Sequence, residues 1–443
     1  MILLSINLTN LKMIIIGKWY RSSLISVKLL CNCVKSIWIG QIGDEMNIIF
    51  ISMELPYPAN SGGRIYTWER LKQIQKHSNN IFLYTLAENS EKVELEKIKE
   101  VCSEVNIYRR ENKYKNAILN LFKPYSVVSR YNKNMYYDIE KIIASEKKVD
   151  LIIIDIPEMI LNCPVNNNIP KIITQHNIEF KVFQSIYKNS KNYIHKAIFY
   201  IEYIKMKRFE DKIYKSNLIN GFTFISEKDA EVFQNMYNIK RYNITPQGYD
   251  VDFNNEKKIT INDGCKIILF TGKMNYQPNV QAVEWFCTNI FPHIKEKVKN
   301  LKFYIVGKKP TDEVKKLAND DIIVTGEVES VEPYIHKADL VVIPLKSGGG
   351  VKIKLFEALG NGKIVVTTSK GIEGTKFKDK IHVILANDEE GFINQCSKIL
   401  SNPADYSILV KNSLMLMKQN YSWDAIGEDY NKFLINVKNS TDL

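Results

Sequence analysis

Short apolar runs separated by amphipathic stretches repeat along most of this chain. Runs at 47–52, 81–86, 151–156, 171–174 and 222–225 have the length and near-continuous hydrophobicity of parallel strands buried on both faces. Between the first two, Gly62 and Gly63 read as a loop and 64–76 as an amphipathic helix. A second series follows Pro246, with runs at 267–271, 302–306, 322–325, 340–344 and 363–368 and helices expected over 280–297 and 352–359. Strand and helix in alternation predict a parallel sheet covered by helices. Two such series predict two doubly wound α/β domains, 46–245 and 246–420, facing a cleft, with 421–443 as a final helix opened by Ser422 and Trp423. Ligands of such folds bind beyond the carboxyl ends of the strands, so the chemistry is sought just after each run.

Residues 1–45 do not share this pattern. They mix apolar residues with Lys12, Lys18, Arg21, Lys28 and Lys35, without the compact apolar core of a secretory signal. They read either as an interfacial segment or as sequence ahead of a start at Met46. No run of about 18 uncharged apolar residues predicts a membrane span. Seven scattered cysteines without zinc spacing fit a reducing compartment, so a cytoplasmic protein is expected, with peripheral placement at the inner membrane face an extension of that reading. The net charge of +12 suits either a polyanionic partner or a lysine- and asparagine-biased composition without functional meaning. No nucleic-acid signature accompanies it, which leaves diphosphate substrates or an anionic membrane surface. Basic and aromatic residues mix over 108–115, 122–125 and 130–133, as either a headgroup contact or a solvated face.

The richest segment follows the run at 340–344. Gly348, Gly349 and Gly350 precede a helix expected to start near Val351 and to carry Lys352, Lys354 and Glu357. Bare glycine backbone admits a phosphate, and a helix N-terminus directs free N–H groups at it. The lysines add full charge. Glu357, about one and a half turns beyond Lys352, offers a carboxylate to ribose hydroxyls.

This segment resembles the donor-binding signature of family-four (group 1) GT-B glycosyltransferases, in the subgroup with Gly-Gly-Gly-x-(Arg/Lys)-x-Lys-x-x-Glu-Ala. The resemblance extends from Met46 to the C-terminus and implies a GT-B fold. In the family, the glutamate matching Glu357 binds the nucleotide ribose. A second family glutamate, separated from this one by seven intervening residues, falls on Gly349 here, which leaves the donor sugar open; the subgroup arginine is Lys352, without a bidentate fork. By the same resemblance, Gly272 admits the donor and Lys273 faces its diphosphate, unless Lys273 is a solvated surface lysine. Backbone at Glu327 and Val328 contacts the base, and Gly62 and Gly63 approach the diphosphate and acceptor. His176, after the run at 171–174, resembles the family histidine at the reacting sugar, with a structural hydrogen-bonding role as the alternative; Asn177 and Glu179 orient it or touch the acceptor. The loop 371–374 and the joint at Pro246, Gly248 and Asp250 match family loops with packing or linker roles, and Trp423 opens a helix that folds back on the first domain.

The family implies a retaining transfer in which the donor phosphate helps deprotonate the acceptor hydroxyl. His176, Lys273 and Lys352 are then the catalytic candidates, with Gly62, Gly63, Gly272, Glu327, Val328, Gly348, Gly349, Gly350, Val351, Lys354 and Glu357 holding the donor. No metal and no cofactor are expected, because lysines take the electrophilic role; the one Asp-x-Asp spacing, Asp250 and Asp252, falls in the crossover linker. The expected partners are a nucleotide-sugar and a glycan or lipid-linked acceptor, in cell-surface polysaccharide assembly, with no nucleic acid. A sugar-nucleotide epimerase or a non-catalytic GT-B protein remain the alternatives.

Overall fold

The computed structural model describes residues 4–5, 14–15, 45–88, 93–110, 122–190, 192–249, 265–348 and 351–440. It divides the chain into two units, Met1–Glu45 and Met46–Leu443. In the first, Leu4–Ser5 pairs antiparallel with Ile14–Ile15. The rest of this section concerns the second.

Its first sheet has seven parallel strands, β1 (Asn47–Ser52), β2 (Asn80–Ala87), β3 (Glu104–Arg109), β4 (Leu151–Ile154), β5 (Lys171–Gln175), β6 (Gly221–Phe224) and β7 (Tyr242–Ile244), in the order β3-β2-β1-β4-β5-β6-β7. The second has β8 (Lys266–Thr271), β9 (Leu301–Val306), β10 (Ile322–Gly326), β11 (Leu340–Ile343), β12 (Val365–Thr367) and β13 (Ile384–Leu385), in the order β10-β9-β8-β11-β12-β13. Both reverse direction of build-up after their first three strands, which opens a crevice at the carboxyl ends of the first and fourth. Alternation places Ile49 and Ile51 in one core and Ile48 and Phe50 in another, on opposite faces of the first sheet. That two-sided burial is why the run is continuously apolar.

The helices that matter below are α1 (Gly62–Lys76), α2 (Lys133–Ile143), α3 (Glu179–Asn189), α4 (Tyr193–Tyr214), α5 (Glu227–Tyr237), α6 (Gln277–Trp285), α7 (Ile353–Gly360) and α8 (Trp423–Asn439). Helix α1 begins at Gly62, so Gly62 and Gly63 form its first turn and not a loop. The helix expected over 280–297 is divided: α6 is followed by a π-turn, Phe286–Ile290, and then Phe291–Lys297. Pro292 explains the break, because it offers no N–H to the ladder and its ring crowds the carbonyl four residues back.

Helix α8 lies against α1. Ser422 caps it, accepting from the Ala425 N–H at 3.2 Å, and Tyr430, Leu434 and Val437 enter the core beneath β1 and β4. Asp424 accepts from Lys76 at 2.7 Å, and Asn79 donates to Asn431 at 3.1 Å. At the crossover, a Cβ on Gly248 would stand 2.5 Å from the Trp423 ring, so a side chain there has no room. Asp250 and Asp252 lie outside the described residues.

Candidate functional site

At the carboxyl edge of the second sheet, β8 ends at Thr271 and Gly272 follows with φ +151. Its N–H donates to the Val306 carbonyl at 3.0 Å, and the Gly307 N–H donates to the Gly326 carbonyl at 3.2 Å, which ties together the loops after β8, β9 and β10. A Cβ on Gly272 would stand 2.7 Å from Lys354 Nζ and 2.8 Å from Asn279 Nδ2. Glycine is therefore required for two reasons, its φ and the space. Lys354, on the first turn of α7, donates to Asn279 Oδ1 at 2.8 Å, and its ammonium lies 3.8 Å from the Phe270 ring centroid. Asn279, buried on α6, donates in turn to the Lys273 carbonyl at 2.9 Å and holds that loop. Burial pulls the Lys354 ammonium down to about 7 against the opposing pull of Glu357. Burial also raises the Glu357 carboxyl, with Lys354 lowering it.

The glycine-triplet segment turns next to this cluster. Gly348 has φ +106, and a Cβ there would stand 3.2 Å from the Tyr276 hydroxyl. Gly349 and Gly350 lie outside the described residues. Helix α7 starts at Ile353, two residues later than expected, because Lys352 takes the extended cap conformation; its Nζ donates to the Gly348 carbonyl at 3.3 Å. Burial and the neighbouring Lys370 lower the Lys352 ammonium, with Glu373 acting the other way. Val351 is half-buried, Lys273 and Glu327 are exposed, and Val328 lines a groove with Tyr304 and Tyr334. The structure thus gathers Gly272, Gly348, Lys352, Lys354 and Glu357 with Asn279 around one strand-end crevice, and sets Glu327 and Val328 on the loop after β10.

The first sheet contributes a second cluster. His176 follows β5 and stands 3.5 Å from Asp155, which follows β4. Asp155 is buried and accepts from Thr67 at 2.9 Å and Arg70 at 3.3 Å, both on α1. Burial works to raise its pKa, but His176, Arg70 and Thr67 together hold the carboxyl below its ordinary value. Arg70, itself 2% exposed, also donates to Thr174 at 2.8 Å and to the Tyr430 hydroxyl at 2.5 Å, and lies over the rings of Tyr66, Phe50 and Tyr430. Tyr66 meets the His176 ring edge-on at 5.2 Å and is anchored through its hydroxyl to Thr245. His176 is thereby backed by a charged, fully packed network. Ser61 makes no side-chain cap bond, so the first-turn amides of α1 at Gly62 and Gly63 remain available to a ligand. Sequence reasoning missed Asp155, Arg70 and Tyr66; Asp155 alone left a signal, a carboxylate directly after an apolar strand.

Known proteins share this architecture. A glycosyltransferase from Rickettsia africae superimposes with a TM-score of 0.62 at 13% identity, over 88% of this chain and 98% of that one. Residues 265–402, which carry the Lys354 crevice, match the family model for Glycosyl transferases group 1. The chain has the GT-B fold and carries a glycosyltransferase group 1 domain. An uncharacterized 44.6 kDa protein in the cps region of Klebsiella pneumoniae is 24% identical over 389 residues, 84% of this chain and 96% of that protein. The lipopolysaccharide 1,2-N-acetylglucosaminetransferase of Salmonella typhimurium is 20% identical over 201 residues, 41% of this chain and 51% of that enzyme.

The chain carries a further group of carboxylates behind His176. Glu179 opens α3, Glu158 lies in the turn after β4, and Glu210 is buried on α4. Burial pushes Glu179 up to about 8, with repulsion from Glu158 adding and Arg130 and Asn177 opposing. Burial, then Glu179 and Glu158, push Glu210 up to about 9. Arg130 lies 3.9 Å from Glu158. Among the described residues, no group of three or more His, Cys, Asp or Glu side chains could hold a metal ion.

Proposed function

We propose that this protein moves a sugar, with retention of configuration, from a nucleotide-sugar to a glycan or lipid-linked acceptor in cell-surface polysaccharide assembly. The observation that carries the donor assignment is Lys354: a largely desolvated ammonium held by a neutral amide and a ring, beside bare backbone at Gly272. A diphosphate supplies the anion this arrangement suits. Glu357, one turn further along α7, fits a ribose hydroxyl, and exposed Lys273 and the cap residue Lys352 add charge for the leaving diphosphate. In this reading a donor phosphate oxygen takes the acceptor proton on the face from which the nucleotide departs. The acceptor oxygen bonds the anomeric carbon as the carbon–phosphate-oxygen bond breaks, and His176 donates a hydrogen bond to the sugar. The relatives named in lipopolysaccharide synthesis and in a cps region support a polysaccharide pathway.

The test is thermal stabilisation and slow hydrolysis across UDP-, GDP- and dTDP-sugars. One nucleotide series should stabilise the wild type; Glu357→Gln should weaken that effect, and His176→Ala should chiefly depress turnover. Stabilisation by none of them would leave a non-catalytic GT-B protein as the reading. Unchanged kinetics in both variants would reject the placement of donor and sugar.

A further inference from the structure

Helices α3 and α4 form an antiparallel hairpin that grows from the His176 loop. A surface helix normally shows one apolar face and one polar face. The first half of α4 is apolar on both. Phe199 and Tyr203 pack inward against Phe183, Phe180 and Tyr187 of α3. The opposite face carries Tyr193, Ile194, Ala197, Ile198 and Ile201, all exposed, with Tyr193 at 87% and Ile194 at 70%. Val182 and Ile186, one turn apart on α3, are also exposed. Before α2, Phe122 is 93% exposed, and the Tyr125 N–H three residues on donates to Glu202 of α4 at 2.7 Å.

Charge on the hairpin is segregated. Lys181, Lys188, Lys196, Lys207, Arg208 and Lys212 are exposed. The acids are not: Glu210 is buried, and Glu179, Glu202 and Asp211 are half-buried, with Glu202 bonded to Lys205 and Asp211 to Tyr237. Among the described residues of this hairpin, the exposed charges are therefore all basic. Bulky apolar residues near the turn of the hairpin, with Lys188 and Lys196 beside them and further basic residues along α4, match the boundary between acyl chains and anionic headgroups. A contiguous exposed apolar patch of this kind is otherwise a solubility liability.

We infer that the α3–α4 hairpin seats the protein on an anionic lipid bilayer, with Ile194, Ile198 and Ile201 entering the interface. The eleven residues of α3 span about 16 Å. That sets the His176 loop at roughly this distance from the tip, within reach of an acceptor anchored in the same bilayer. Docking does not depend on the donor chemistry, so nucleotide binding serves as an independent control.

The experiment is co-sedimentation of the full chain with phosphatidylcholine vesicles and with vesicles containing roughly one-third phosphatidylglycerol. Binding should favour the anionic vesicles by about tenfold or more and weaken with salt. The Ile194→Ser/Ile198→Ser/Ile201→Ser variant should lose about tenfold or more in partitioning, as should Lys196→Glu/Lys207→Glu, with thermal midpoint and nucleotide stabilisation retained. Absence of wild-type binding to anionic vesicles overturns the inference, as does equal binding by the triple-serine variant. A wild type that dimerises where the triple-serine variant is monomeric overturns it too, because a second copy then covers the face.

Discussion

On the proposed placement of the donor diphosphate against Lys354, nucleotide binding should be a proton-coupled event. In the ligand-free protein its ammonium is lowered from an ordinary 10.5 to about 7, chiefly by burial. That fall corresponds to at most about 5 kcal/mol between charged and neutral forms, reduced by the partial exposure of the side chain. The unfolded chain therefore holds more protons than the folded one between pH 7 and 10.5, so this group's penalty on folding is complete below pH 7 and fades as pH rises through the window. A diphosphate placed against Nζ restores the charged form. Above pH 7 each binding event should then take up close to one proton, and affinity should fall by up to tenfold per pH unit. Calorimetry of the bound nucleotide diphosphate in buffers of different ionisation enthalpy, at pH 7 to 9, measures both quantities. Lys354→Met should abolish the proton uptake, weaken binding by roughly tenfold to a hundredfold, and raise the thermal midpoint of the ligand-free protein at pH 6. Flat affinity across pH 7 to 9 with no buffer dependence, or unaltered binding by Lys354→Met, would refute the reasoning.

Three other outcomes follow from packing and charge. Arg70→Ala should cost about 3–5 kcal/mol of stability, since it leaves Asp155 buried without its guanidinium; chemical denaturation measures it. Glu210 and Glu179 have raised pKa values, so their contribution is present below about pH 4.5 and is lost as pH climbs through about 8 and 9. Glu210→Gln should flatten that decline in a series of thermal midpoints. Gly248→Ala should destabilise by roughly 1–3 kcal/mol, because its Cβ meets the Trp423 ring and one of the two must shift.

The strands buried on both faces were legible because burial on two sides imposes a continuous apolar run, as at Asn47–Ser52 and Lys266–Thr271. Glu104–Arg109 was not, since it is half-exposed and begins and ends on charged residues. Tyr242–Ile244 and Ile384–Leu385 are edge strands too short to show a period. Helix α4 hid for a different reason: a segment apolar inward and outward gives no 3.6-residue signal. At the site, Lys354 and Glu357 stood out by their spacing after a strand end, and Gly272 through the family resemblance. Arg70 was not, because an arginine on an amphipathic helix looks solvated by type, and only tertiary contact with Asp155 and Tyr430 shows it buried. Asn279 was likewise invisible, as its partners Lys273 and Lys354 come from the loop after β8 and from the distant helix α7.

The return of α8 to the first sheet has a consequence for biogenesis. Arg70 and Tyr430 are 360 positions apart, so the first sheet's core lacks one wall until α8 has left the ribosome. The nascent amino-terminal half must wait with an uncovered apolar trough where Leu434 and Val437 will settle. Cut off before that helix, it would emerge as an aggregation-prone intermediate and not as a free-standing module.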